Sequence, residues 1–411
     1  YETEAVLSAF CEKGWHVIDF SQKADVYIVN TCAVTGTSGR KSRQMLRQAK
    51  ETNPAAVVVA VGCFSQLEPE AVSAIADVVV GTKERGNIPL LVEQYILTGR
   101  KKISVGDIKT ERIFEPLQLG DILERTRAFV KIQDGCDRYC SYCAIPYARG
   151  AVRSRPLSDI AKEAERLVKS GFREIVLSGI HLASFGKDFQ ERTTLTDAID
   201  VTLSSGIERI RLGSLEPNVI TDSFIEYLKV HKNVCPHFHL SLQSGSDKIL
   251  RSMRRAYDTA TFLRSAESLY ENFPDCAITT DMITGFPGET EQDFYDSLTF
   301  AEKIGFMKIH VFPFSKKDGT KAASMEGQIT KHVKSERAKK AIDLSQKLTQ
   351  KFFSKMEGKF VNVLVEKTES GESFGYAENY VPVCIKKEVH SGEIVRVKLD
   401  SYDAEKMFSG I

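Results

Sequence analysis

The chain has 411 residues, 42% hydrophobic and 27% charged, with a formal net charge of +1 at pH 7. That length exceeds one ordinary core and predicts two or three domains, while the composition excludes collagenous, fibrous and disordered classes. The longest wholly apolar run, residues 55–61, falls far short of the roughly 20 residues a bilayer crossing needs, and the near-zero charge confines any nucleic-acid contact to a local patch.

In chain order, the first stretch alternates a helix over 2–13, strands over 16–20 and 26–30, a basic helix over 36–51, a strand over 56–61 and helices near Glu68 and Asn87. Such alternation predicts parallel strands with helices on both faces, a Rossmann- or flavodoxin-like α/β domain. Residues 98–116 mix charge and glycine without a period and read as a connection. A second alternation opens on the strand FVKIQ and proceeds through helix 158–170, capped by Ser158 and stopped at Gly171, and strand 174–177. A helix near Thr194, strand 209–212, helix 218–230, strand 237–242, a helix from Asp258, strand 277–283, helix 290–304 and strand 308–314 follow. Six β/α units predict a partial TIM-type barrel, whose ligands sit at the carboxyl ends of the strands. A lysine-rich helix over 331–359 leads into FVNVLVEK and EIVRVKL, whose period of two predicts a small all-β barrel. The expected domains are therefore 1–115, 122–345 and 357–411.

Nine cysteines, an odd number in no disulfide-like array, point to a reducing compartment, hence the cytoplasm, and to thiolate ligands or nucleophiles. Cys136, Cys140 and Cys143 stand in CDRYCSYC directly after FVKIQDG. Three thiolates at this spacing suit a cubane iron–sulfur cluster that leaves one iron without a protein ligand. A zinc knuckle would draw on a second CxxC or CxxH pair, which the sequence lacks, and core thiols are the plain alternative. Cys32 in NTCAVT and Cys63 in GCFSQ end two parallel strands at one sheet edge, as ligands or as core residues. Cys11 shares an amphipathic helix with Ala5, Val6, Leu7 and Phe10 and is expected in the core.

Other strand ends offer polar groups for a nucleoside: Ser178 and Gly179, Glu216, Gln243 and Ser244, and Thr284 with Gly285 and Gly288. Glu216 would bond ribose hydroxyls, and Arg255 would reach a carboxylate or stand as a solvated charge. Arg149, Arg153 and Arg155 follow the cysteine loop, and Lys351, Lys355 and Lys359 close a helix whose nine basic and three acidic residues leave a local +6. A phosphate backbone suits such a stripe beside a small barrel whose Phe374, Tyr376 and Tyr380 stack on bases or fill its core.

The cysteine spacing with Tyr142 before the last Cys resembles the radical S-adenosylmethionine (SAM) enzymes. The resemblance implies that the open iron of a [4Fe-4S] cluster binds SAM and that one electron cleaves it to a 5′-deoxyadenosyl radical. The order NTC, GC, CDRYCSYC, IPYARGAVRSR, HLSLQSGS, TDMITGFPGE and a terminal segment resembling the tRNA-binding TRAM domain is similar to the methylthiotransferase family over essentially the whole chain. That family implies a second, auxiliary [4Fe-4S] cluster at Cys32 and Cys63, with a third ligand expected just before Tyr1. Its branch acting on N6-threonylcarbamoyladenosine beside the tRNA anticodon looks most similar. The branches acting on isopentenyladenosine in tRNA or on an aspartate of a ribosomal protein are alternatives. Expected partners are a tRNA anticodon arm and an electron donor such as flavodoxin or ferredoxin, with no membrane and no DNA. A zinc-dependent, non-catalytic RNA-binding protein is the reading from another class.

Overall fold

The computed structural model describes residues 1–33, 35–117, 120 and 126–410. They form two compact units, one of Tyr1–Leu123, Gln133–Arg155 and Ser315–Ala323, the other of Glu124–Ile132, Pro156–Phe314 and Ser324–Ile411. Among the described residues no helix is long and apolar enough to cross a membrane.

The first unit is built on a parallel sheet in the order β1 (Val26–Thr31), β2 (Val57–Gly62), β3 (Val78–Val80) and β4 (Lys102–Ser104). Successive side chains of β2 point to opposite faces, so the run VVVAVG is buried on both. Val58 and Ala60 pack with Leu46, Ala49 and Phe64, whereas Val57, Val59 and Val61 pack with Val6, Phe10, Ile88 and Val92. Helices Glu2–Cys11, Gly36–Thr52, Cys63–Leu67 and Ile88–Thr98 supply those partners, the second capped by Thr35, whose hydroxyl accepts from Ser38 N. Two expectations are corrected here. Residues 16–20 form no strand, because no ladder partner is present for them among the described residues. Instead Phe20 packs edge-on against Tyr27, and the stretch lines a groove of about 660 Å³ beside β1. Residues 98–116, expected as connection, contain β4, too short at three residues for a period to register.

In the second unit, β5 (Arg127–Asp134), β7 (Glu174–Gly179) and β8 (Arg209–Leu212) are neighbours, as are β9 (His237–His239), β10 (Ala277–Thr284) and β11 (Lys308–Pro313). Parallel bridges Ile210–Val234 and Leu215–Leu240 link the two sets into a partial barrel. The last two residues of β5 belong to the first unit, where β6 (Arg153–Ser154) runs antiparallel to them. Helix Leu157–Lys169 starts behind Pro156 with no side-chain cap, not at Ser158, because the fixed proline φ already sets the chain at its first turn. Asp258, Thr290 and Thr194 cap their helices as their residue types suggest.

Helix Lys331–Met356 buries Ala338, Ala341, Leu348, Phe352, Phe353 and Met356 and leaves most of its lysines outward. It ends at Met356, short of the expected Lys359, where Gly358 turns at φ +80°. A mixed sheet follows in the order β15–β12–β13–β14–β17–β16, from β12 (Phe360–Glu369), β13 (Glu372–Ala377), β14 (Pro382–Ile385), β15 (Ile394–Lys398), β16 (Ser401–Tyr402) and β17 (Met407–Ser409). Val361, Val363, Val365, Val383, Val397 and Met407 of this sheet share a core with Phe352, Phe353 and Met356.

Candidate active site

The loop CDRYCSYC leaves β5 through Gly135, at φ +70°. A Cβ there would lie 1.8 Å from the Ala151 carbonyl oxygen, so the close approach of the outgoing and returning chains requires glycine. Cys136 N donates to Gly150 O and Cys143 N to Cys140 O, both at 3.0 Å. Tyr139 takes a left-handed turn between the first two cysteines. Cys140 is buried, while Cys136, Tyr142 and Cys143 are half-buried. Helix Ile145–Arg149 follows at once, with a proline in its first turn.

Thr31 and Gly62 are in register at the ends of β1 and β2, so Cys32 and Cys63 leave adjacent parallel strands at the same edge. Cys63 opens helix Cys63–Leu67 and shares a core with Phe64, Ile145 and Ala148, whose carbonyl accepts from Thr82 Oγ1 at 2.6 Å. All five cysteines expected as ligands thus belong to one unit, and the helix after the CxxxCxxC loop packs against the helix that carries Cys63.

Three arginines expected to meet RNA lie inside this unit instead. Arg149, Arg153 and Arg155 are 9%, 3% and 5% exposed. Arg149 donates to Asp134 Oδ1 at 3.0 Å and to both carboxylate oxygens of Glu2, at 2.6 and 2.9 Å. Arg153 donates to Arg149 O at 2.8 Å and lies 3.6 Å from Asp134, and Arg155 reaches the Tyr1 hydroxyl. Arg85, paired with Glu2 and Glu115, completes the network. Burial opposes the charge of Arg149, but Asp134 and Glu2 outweigh it and raise its pKa. A run of arginines reads as surface charge until the fold shows where their carboxylates lie.

At the barrel rim of the second unit, Glu216 is 3% exposed. Its Oε1 lies 3.0 Å from Arg255 Nη2 and its Oε2 3.2 Å from His181 Nε2, while His181 Nδ1 is 2.7 Å from Ser184 Oγ. Arg255 Nε donates to the Tyr257 hydroxyl at 2.9 Å. Two expected residues are therefore joined, and His181 and Tyr257 were missed. His181 stands just past β7, where strand-end position was its only signal. Ser178 Oγ donates to Val130 O at 3.3 Å beside half-buried Gly179. Gln243 takes φ +67° and bridges to Met282. Ser244 is fully buried, its hydroxyl 3.2 Å from Ser297 Oγ, which gives it a turn-holding role rather than an open ligand group. Gly285 N donates to Glu289, which in turn accepts from Arg337. The Thr284 hydroxyl is buried without a hydrogen-bond partner among the described residues.

Of the basic helix, Lys351 is exposed, Lys355 donates to Pro274 O at 2.5 Å and Lys359 pairs with Asp275. Tyr376 and Tyr380 stack on each other at 4.7 Å beneath Arg127, while Phe374 lies under Lys367 and Lys406.

Among the described residues no three His, Cys, Asp or Glu side chains gather as ligands of a single metal ion. A cubane takes one thiolate per iron and so keeps its sulfurs apart, and three soft donors on a glycine-hinged loop fit such a group.

Known families and proteins match this arrangement. The radical SAM superfamily matches residues 130–301, and the uncharacterized protein family UPF0004 matches residues 1–81. The threonylcarbamoyladenosine tRNA methylthiotransferase MtaB of Bacillus subtilis is 40% identical over 97% of this chain and 90% of its own length. Its Aquifex aeolicus counterpart is 36% identical over 97% and 96%. The tRNA-2-methylthio-N(6)-dimethylallyladenosine synthase of Clostridium tetani is 35% identical over 94% and 88%. In fold, the chain is similar to the radical SAM methyltransferase TsrM of Kitasatospora setae, with a TM-score of 0.56 at 13% identity over 79% of this chain and 74% of that one. Matches this long and this similar carry more than a shared fold: the chain belongs to the radical SAM methylthiotransferase family.

Proposed function

We propose that the protein converts N6-threonylcarbamoyladenosine beside the tRNA anticodon to its 2-methylthio derivative. The observation that carries this reading is the meeting, in one unit, of the CxxxCxxC loop with the two strand ends that present Cys32 and Cys63. The choice of base rests on the relatives from Bacillus subtilis and Aquifex aeolicus, whose names specify it. The name of the Clostridium tetani relative keeps the dimethylallyladenosine branch as the second reading.

In this reading residues 1–115 hold the auxiliary cluster, 122–345 the radical chemistry and 357–411 a TRAM-type RNA-binding domain. Cys136, Cys140 and Cys143 hold one [4Fe-4S] cluster, and Cys32 and Cys63 contribute to the other. When bound, the first cluster with SAM supplies one-electron cleavage and a radical that takes hydrogen from C2 of the adenine. The chain's own part is positional. Asp134 and Arg149 clamp the two ends of the cysteine loop. Arg255 and His181 orient the Glu216 carboxylate toward ribose hydroxyls. Exposed Lys351 contributes charge for the phosphate backbone. A cytoplasmic location with flavodoxin or ferredoxin as reductant accords with thiolate-held clusters.

Mass spectrometry of tRNA nucleosides tests the substrate: cells lacking the protein should lose 2-methylthio-N6-threonylcarbamoyladenosine. Unchanged levels of every 2-methylthio nucleoside would reject both tRNA readings. The Cys140→Ala protein should form no 5′-deoxyadenosine, and retained formation would sink the radical assignment. Iron with acid-labile sulfide is expected on elemental analysis, and zinc without sulfide would favour an RNA-binding protein without catalysis.

A further inference from the structure

Segment Ser315–Ala323, which follows β11, belongs to the first unit although its neighbours in sequence belong to the second. Within that unit it touches the segments beside Cys32, Cys63 and the CxxxCxxC loop. Ser315 Oγ accepts from Gly36 N at 2.9 Å, at the start of the helix that follows Cys32. Lys317 Nζ donates to Glu68 Oε1 at 2.9 Å and lies 5.4 Å from the ring centre of Phe64, the residue after Cys63. Ala322 N donates to the carbonyl of Ser141, between Cys140 and Cys143, at 2.7 Å. The segment is shaped for this reach. Gly319 turns at φ +81°, buried Thr320 donates from its hydroxyl to Lys317 O at 2.7 Å, and Ala322 is fully buried.

We propose that Ser315–Ala323 is a positioning strap that holds the CxxxCxxC loop against the elements carrying Cys32 and Cys63, with Lys317 as its ionic anchor. The strap acts on the delivery of sulfur to the substrate rather than on the formation of the radical. Radical formation needs the CxxxCxxC loop and SAM. Methylthiolation also needs the sulfur source held at a fixed distance from that loop, and a misplacement of about 1 Å costs about a hundredfold in rate. Lys317 is suited to the task because its side chain is only 12% exposed, so its ammonium is fixed between Glu68 and the Phe64 ring. The proposal rests on the methylthiotransferase reading for its chemistry but not for its geometry.

The test compares the intact wild-type protein with its Lys317→Gln and Lys317→Arg variants, each reconstituted anaerobically with iron and sulfide. Lys317→Gln should keep its iron and sulfide and form 5′-deoxyadenosine within about twofold of wild type, while methylthio product falls about a hundredfold. The amides of Gly36 and Ala322 should exchange with deuterium faster in Lys317→Gln, and Lys317→Arg should restore both product and protection. Unchanged product and exchange would overturn the proposal, as would a parallel loss of cluster, 5′-deoxyadenosine and product. A wild-type protein that makes no methylthio nucleoside would overturn the proposed function instead, and exchange at Gly36 and Ala322 would still decide the strap.

Discussion

Arg149 Nη1 donates to Asp134 Oδ1 at 3.0 Å, joining the residue that ends β5 ahead of the cysteine loop to the residue that ends the helix behind it. Both side chains are nearly excluded from water, so neither charge finds substitute solvation when the other is removed. Arg149→Met takes from Asp134 a cation at 3.0 Å, closer than Arg85 and Arg153 at 3.6 Å each, and strips Glu2 of a bidentate partner. We expect a loss of about 3 kcal/mol of stability in denaturant unfolding, the cost of uncovering a buried charge. A loss of only a few tenths would mean that the pair is not structural.

Glu216 is held by Arg255 on one oxygen and His181 on the other, which leaves the carboxylate little freedom to turn. Glu216→Gln keeps the shape but removes the negative charge that faces the Arg255 guanidinium. SAM affinity of the reconstituted protein should drop about tenfold, the worth of one charge-assisted hydrogen bond. Equal dissociation constants in equilibrium binding would place Glu216 outside the nucleoside site.

Lys351 projects into solvent from the helix that precedes the terminal sheet. Lys351→Gln should weaken tRNA binding about equally for all sequences and reduce the slope of log affinity against log salt by about 1. Identical slopes for the two proteins would remove this lysine from the RNA interface.

His237 opens β9, with Nε2 3.0 Å from Thr279 Oγ1 and its ring 4.7 Å from that of Tyr380. Burial, reinforced by Arg211, His239, His310 and Arg127, holds its pKa well below the ordinary histidine value. The folded state therefore favours the neutral ring. Its contribution to stability is complete above the unfolded pKa of about 6.5 and is lost as pH falls from there toward the folded value. Thermal unfolding of wild type should weaken across this range, and His237→Gln should flatten that acid limb. A limb of unchanged steepness in the variant would assign the effect to other groups.

Elements whose information is local were legible. The alternation of apolar runs that encodes β2, β8 and helix Glu291–Ile304 is carried by neighbouring residues, and capping residues such as Thr290 announce themselves within one turn. The spacing of Cys136, Cys140 and Cys143 was equally plain, because a single loop carries all three donors. What failed was whatever depends on a distant partner. Residues 16–20 have strand-like alternation but no ladder among the described residues, and β3 and β4, with three residues each, exist only because a neighbouring strand pairs with them.

The sequence by itself determined the chemistry on offer: thiolate donors at a cluster spacing, strand ends that present further thiols, and a lysine-rich helix before a small β-rich segment. Tertiary structure alone decided how those groups are used. Arg149, Arg153 and Arg155 became internal struts because burial makes them seek carboxylates, and those of Glu2 and Asp134 come from separate parts of the chain. Ser315 meets Gly36 across 279 residues. No local period encodes such pairings, because they arise only when packing excludes water and each buried polar group must find its partner inside the fold.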